Sequence, residues 1–250
     1  MKLSELVRYL DEYLTVRDIP DGDGALNGLQ VEGPDEVASI AVSVDASEAS
    51  IRGAVDAGAD LLIVHHGMFW DGNRAATGPR YRRLKLLLDN DVALYSVHLP
   101  LDVHAEVGNN ALLARKLGVR IRGRFGTHLG IPIGVYGDLE ISLDDLRDRL
   151  ASTVDAAVRV IAGGPDPVRR IGVVTGSGAS ALADAAELGL DALVTGEAKH
   201  HDFFEAMEGG VTLLLGGHYA TETFGVRALA SHLEERFSIP WTYLHLPTGL

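Results

Sequence analysis

Ala57-Gly58-Ala59-Asp60-Leu61-Leu62-Ile63-Val64-His65-His66-Gly67 runs from an apolar-Gly-apolar-Asp turn into a short, unbroken apolar strand and then into two histidines. An apolar run of this length between turn signals marks a strand buried on both faces, as parallel sheets require. The same plan returns at Leu188-Gly189-Leu190-Asp191-Ala192-Leu193-Val194-Thr195, followed by Gly196-Glu197. The correspondence reads as a degenerate two-fold internal repeat, although short apolar strands after helical turns also resemble one another by chance.

Outward from these stretches, strands and helices alternate. Strands are expected at 40–44, 61–64 and 92–97, with helices at 48–57, 82–89 and 109–117. The second half repeats the order with strands at 171–175, 192–195 and 211–215, helices at 179–188 and 203–207, and a long helix at 221–236. Leu3, Leu6, Val7, Leu10 and Leu14 fall on one face of a first helix, and Asp21-Gly22-Asp23-Gly24 reads as a loop. Between the halves, strands are expected at 129–136 and 156–161, with a helix to about residue 150 capped at Ser142-Leu143-Asp144-Asp145. This alternation predicts an α/β fold of two similar lobes, with mostly parallel sheets, forming one body. It is expected to be one domain over residues 1–250, with lobes of about 1–125 and 126–250.

The 250 residues include no cysteine, so any transition metal must be held by imidazole and carboxylate. No apolar run approaches the ~18 residues of a membrane span, and Met1 to Glu5 opens an amphipathic pattern and not a signal peptide, so a cytoplasmic protein with no membrane partner is expected. The net charge of −13, with arginine far above lysine, fits either a halophilic source or an ordinary acidic cytosolic protein. Nucleic acid is not expected as a partner, because Arg80-Tyr81-Arg82-Arg83-Leu84-Lys85 is the nearest approach to a basic patch and reads as a solvated helix face.

In a parallel sheet, functional groups gather at the carboxyl ends of the strands. Three expected ends carry ligand-type residues: His65 and His66; His98 with Asp102 four residues on; and His218 with Glu222 four residues on. Successive strand residues point to opposite faces, so His65 and His66 are expected to serve two neighbouring ions about 3.5–4 Å apart. Glu222 stands one helical turn beyond His218, and Asp102 completes the second ion's set. The candidate metal ligands are therefore His65, His66, Asp102, His218 and Glu222, for zinc, iron or manganese. His98 and His104 are candidates for proton transfer or for orienting a ligand. His200 and His201 could line the same crevice but fit a solvated helix start, and His128, His232 and His245 read as structural. Val174 to Ser180 contains a glycine-serine turn of a kind that can hold an anion.

Asn27-Gly28-Leu29-Gln30-Val31-Glu32-Gly33, His65-His66-Gly67-Met68-Phe69-Trp70, His98-Leu99-Pro100-Leu101-Asp102, Gly108-Asn109-Asn110 and Gly217-His218-Tyr219-Ala220-Thr221-Glu222 together resemble the Nif-three-like family, also called GTP cyclohydrolase I type-two-like. The resemblance spans nearly the whole chain and is to the short members without a central inserted domain. It implies a two-metal site on the same five residues, two α/β lobes and a ring-shaped homohexamer. Leu26 departs from the acidic or polar residue of many relatives, which bears on local packing. Three functions follow as expectations. The first is a two-metal hydrolase acting on a nucleotide, with GTP ring opening as the candidate reaction, His98 or His104 moving protons, and Arg80 or Arg82 near the phosphates. The second is a metal chaperone or iron-handling protein, and the third is a hexameric scaffold with structural metals.

Overall fold

The computed structural model describes residues 1–22, 24–70, 72 and 74–250, so Asp23 of the expected loop lies outside the described residues. The first part of the chain forms α1 (Leu3–Tyr13), β1 (Gly28–Val31), β2 (Ile40–Asp45), α2 (Glu48–Asp56), β3 (Leu61–His66), α3 (Gly78–Asp89), β4 (Ala93–Ser96) and the short α4 (Leu99–Asp102). Next come α5 (Asn109–Lys116), β5 (Arg120–His128), β6 (Ile131–Ile141), α6 (Leu143–Val154), β7 (Arg159–Ile161) and β8 (Val168–Val173). After a 3-10 turn at Gly178–Ala181 follow α7 (Leu182–Glu187), β9 (Ala192–Thr195), α8 (Asp202–Gly209), β10 (Thr212–Leu215), α9 (His218–Thr221), α10 (Thr223–Phe237) and β11 (Trp241–Tyr243). Among the described residues no helix is long and apolar enough to cross a membrane.

Two compact units result: Met1–Leu101 with Gly225–Leu246, and Asp102–Phe224 with Pro247–Leu250. The expected division near residue 125 is not the one observed. The chain leaves the first unit at Leu101 and returns to it at Gly225, because β11 pairs with β2 and closes the edge of the first sheet.

The first sheet has the order β1-β4-β3-β2-β11, with only the β1 pairing antiparallel. Its centre is as apolar as the sequence requires, with Leu61, Leu62, Ile63 and Val64 fully buried. Leu3, Leu6 and Leu10 form the buried stripe of α1, at the spacing that returns one face of a helix every three to four residues. Ser47 starts α2 with a reciprocal cap: its hydroxyl accepts from Ser50 N, and Ser50 Oγ accepts from Ser47 N.

The second sheet, β5-β6-β8-β9-β10-β7, is more mixed than expected. Only β8-β9 and β9-β10 are parallel; the β5-β6 hairpin and the return strand β7 add antiparallel pairings. The expected strand at 129–136 begins on the hairpin turn, where Leu129 and Gly130 both take positive φ, and its partner β5 was not expected. Ser142 caps α6 by accepting from Asp145 N. The helix then runs to Val154 and ends on Asp155 at φ 53°, so it is one turn longer than the sequence suggests.

The internal repeat is borne out in detail. The units β2-α2-β3-α3-β4 and β8-α7-β9-α8-β10 share their parallel registers: Ile40 pairs with Leu61 and Leu61 with Ala93, as Ile171 pairs with Ala192 and Ala192 with Thr212. Gly58 (φ 65°) and Gly189 (φ 67°) make the same left-handed turn. Asp60 Oδ2 then accepts from Ala38 N (2.7 Å) and Ser39 N (3.0 Å), while Asp191 Oδ2 accepts from Arg169 N (2.7 Å) and Arg170 N (2.8 Å). The carbonyls of Asp60 and Asp191 accept from Ala93 N and Thr212 N, so each aspartate ties the starts of three strands together. Asp60→Ala or Asp191→Ala is expected to lower the urea unfolding midpoint by the equivalent of about 1.5–3 kcal/mol, the usual loss for hydrogen bonds to a charged group. An unmoved midpoint in both variants would show that the strand starts need no such tie.

Candidate metal centre

The first unit gathers three imidazoles at the carboxyl ends of β3 and β4. His65, His66 and His98 each offer a ligand nitrogen within 4.8 Å of the others. The rings of His65 and His66 are 4.8 Å apart and tilted by 44°, so the alternation of strand residues does not separate them. Each ring is held from behind. His65, fully buried, donates from Nδ1 to Val97 O at 2.9 Å; His66 Nδ1 lies 2.8 Å from Asp45 Oδ1; His98 Nδ1 lies 2.9 Å from Asp21 Oδ1. Carbonyl and carboxylate oxygens only accept, so the proton sits on Nδ1 and the ring's ligating lone pair is on Nε2.

The Asn-Gly-Leu-Gln segment builds this cluster without joining it. Asn27 donates to Asp21 Oδ2 (2.8 Å) and accepts from His98 N (2.8 Å). Gln30 Oε1 accepts from Met68 N and its amide fills the space beside Gly67, where no Cβ would fit. Burial would raise the Asp21 carboxyl, but His98, Asn27 and the Gly22 N–H outweigh it and hold it down at about 2.

The second unit gathers carboxylates and one imidazole. Asp102 and Glu222 are buried and their ligand oxygens lie within 4.8 Å of one another. His218 Nε2 is 3.1 Å from Glu222 Oε2, one helical turn on, although Glu222 sits at the junction of α9 and α10 and does not begin a helix. His218 Nδ1 is 3.0 Å from Glu197 Oε1, and Ser177 donates to the same carboxylate oxygen. That serine, then His218, hold the Glu197 carboxyl below the usual range. Asn109 donates to Asp102 Oδ1 (2.9 Å), while Asn110 donates to Ile133 O and accepts from Thr175 N (2.7 Å), which accounts for the Gly-Asn-Asn motif. In the glycine-serine turn two backbone N–H groups are spent on threonine hydroxyls, and the chain passes close against ligand-type side chains. Gly176 N and Gly178 N donate to Thr221 and Thr195, and a Cβ at Gly176 (φ 63°) would fall on Glu222 Oε1 and 3.3 Å from His218 Nε2.

Of the expected ligands, His65 and His66 thus stand together with His98 in one unit, and Asp102, His218 and Glu222 stand together in the other. His104 is occupied as a turn cap, its Nδ1 accepting from Glu106 N and Val107 N at 3.2 Å each. His200 packs beside Phe204, His201 lies 3.3 Å from Asp202, and His232 stacks on Tyr13 at 4.2 Å. Asp21, Asp45 and Glu197 were not expected. Asp45 could have been found by extending the strands in register, since it pairs with His66 across the β2-β3 ladder. A donor set of imidazole nitrogen and carboxylate oxygen, with no thiolate, fits a divalent zinc, iron or manganese ion.

The hydrogen bond to Glu222, opposed by burial and aided by the charges of Glu222 and Glu197, raises His218 from 6.5 to about 9. A raised pKa means that the folded protein binds the proton more tightly. The stabilisation is fully present below about pH 6.5 and lost as pH rises to about 9. Metal-free protein is therefore expected to lose thermal stability across that window, and His218→Gln to flatten the loss. A metal must displace this proton, so its affinity should rise over the same window with a proton released on binding, measurable by calorimetry in buffers of different ionisation enthalpy.

A family model described as Duf34/NIF3 (NGG1p interacting factor 3) matches residues 1–246. A protein of Deinococcus radiodurans named GTP cyclohydrolase 1 type 2 homolog is 48% identical over 98% of this chain and 94% of its own. Among solved structures, TTHA1606 from Thermus thermophilus is 44% identical with a TM-score of 0.91, covering 100% of both chains. Protein ybgI, described as of unknown function, is 38% identical with a TM-score of 0.94, again covering 100% of both. Matched along almost its whole length in sequence and in backbone, the chain belongs to the Duf34/NIF3 family.

Proposed function

We propose that the chain is a metal-dependent hydrolase acting on a nucleotide, with GTP ring opening as the candidate reaction and two divalent ions per chain held by His65, His66, Asp102, His218 and Glu222. The observation that carries this reading is the way the imidazoles are held: His65 and His66 commit Nδ1 to a carbonyl and a carboxylate and so present Nε2, and His218, held at Nδ1 by Glu197, presents its Nε2 once the proton shared with Glu222 is displaced. Structural histidines are not as a rule oriented in sets, whereas metal-ligating ones almost always are. The names of relatives, GTP cyclohydrolase 1 type 2 homolog, support the substrate class.

A bound divalent ion would supply Lewis acidity, lowering the pKa of a water molecule and polarising a substrate oxygen. The chain's own residues do the rest. Asp45, Glu197 and Val97 O fix the ligand rings, and Asn109 fixes Asp102. His98, held at Nδ1 by Asp21, exchanges a proton at Nε2. His104, whose Nδ1 accepts from the turn, keeps its ring proton on Nε2 and is the second candidate for proton transfer.

The test is to purify the protein free of metal, reload it with iron, manganese or zinc in turn, and follow a panel of nucleotides including GTP. His66→Ala and Glu222→Ala should abolish turnover and lower bound metal while leaving the circular dichroism spectrum unchanged. Asp45→Ala should weaken metal binding about 10- to 100-fold, the usual effect of removing a carboxylate behind a ligating histidine. Turnover by the metal-free protein would overturn the reading. Metal bound without turnover would favour metal handling, for which the partly exposed His66 and His218 side chains (20% and 28%) offer a route of exchange.

A further inference from the structure

We propose that Trp70 is the platform on which a planar heteroaromatic ring of the substrate stacks, an inference that rests on the hydrolase reading and assigns its substrate class to a residue. Trp70 follows His65-His66-Gly67 by three residues, and its indole is locked: Nε1–H donates to Gly67 O at 2.7 Å. So fixed, the ring stands edge-on to His98 (centroids 4.8 Å apart, planes at 84°) and tilted against His66 (5.8 Å, 57°). An indole therefore borders two of the three imidazoles at the carboxyl ends of β3 and β4.

The neighbouring Phe69 shows what Trp70 is not used for. Phe69 packs against the first unit's apolar core, and the Arg80 guanidinium covers its ring at 4.7 Å. Trp70 is half-buried and, among the described residues, is not part of that core cluster. A large aromatic side chain held rigid, only partly buried and beside ligand-type histidines offers what a planar π system needs and what a sugar phosphate alone cannot exploit. Stacking of a nucleobase on such a ring is worth roughly 5- to 150-fold in affinity.

Trp70 and Trp241 are the only two tryptophans of the sequence, so Trp241→Phe leaves Trp70 as the sole tryptophan reporter in the full, metal-loaded chain. Titration with guanosine monophosphate should quench that emission saturably, and ribose 5-phosphate should not. By equilibrium dialysis, Trp70→Leu should weaken guanosine monophosphate binding by roughly 5- to 150-fold and Trp70→Phe much less, with bound metal equal to the parent's in both. Equal quenching by ribose 5-phosphate, absence of nucleotide binding, or equal affinity in Trp70→Leu and the parent would overturn the proposal. If Trp70→Leu fails to fold, Trp70→Phe and the quenching contrast decide alone. Stacking without turnover would leave the platform standing and sink the hydrolase; turnover undiminished in Trp70→Leu would do the reverse.

Discussion

Inside a strand buried on both faces an unpaired polar side chain is costly, by roughly 2–7 kcal/mol. Leu61 to Val64 and Ala192 to Thr195 obey this, being fully buried and, apart from the hydrogen-bonded Thr195, wholly apolar. Chemistry is pushed to the carboxyl ends: His65 and His66 are the last residues of β3, Glu197 lies just past β9, and His98 and His218 just past β4 and β10. The parallel pairings within each sheet are thus also what collects ligand-type groups at one end of their strands.

Collection alone would leave the rings free to rotate. What turns a group of histidines into a ligand set is the layer behind it: a carbonyl at Val97 and carboxylates at Asp21, Asp45 and Glu197, each taken by an Nδ1. Two of these carboxylates are themselves anchored, Asp21 by Asn27 and Gly22 N, Glu197 by Ser177. Rotamer and tautomer are settled before any ion arrives, which removes an ordering cost from binding. His218 differs from the others, since two carboxylates bracket it and in the metal-free protein it keeps its second proton through neutral pH.

Much of this was legible in the sequence wherever one local signal sufficed. The leucine stripe of α1, the Ser142 cap and the two Gly-Asp turns each follow from a few adjacent residues. Strands lacking a continuous apolar run escaped. In β5, arginines alternate with Ile121, Gly123 and Phe125 on a sheet edge paired only to β6; β1 is four residues with a glycine and a glutamine; β11 is three residues whose place beside β2 no local pattern announces. The same divide runs through the candidate site. His65, His66, His98 and His218 stand out at strand ends, but Asp21 lies 77 residues from the histidine it holds, and only the folded register brings the two together.

Asp60 and Asp191 carry a consequence for how such a chain can change over generations. Each fixes its βαβ unit from the amino end, where the strands begin, so this tie makes no use of the ligand-type side chains at the opposite end. In the aligned copies His66 and Glu197 occupy the same station, one suited to grip a metal and the other to steady a neighbouring imidazole. A duplicated unit locked at one end is an evolvable unit at the other: its chemistry can be rewritten residue by residue while its architecture is inherited intact.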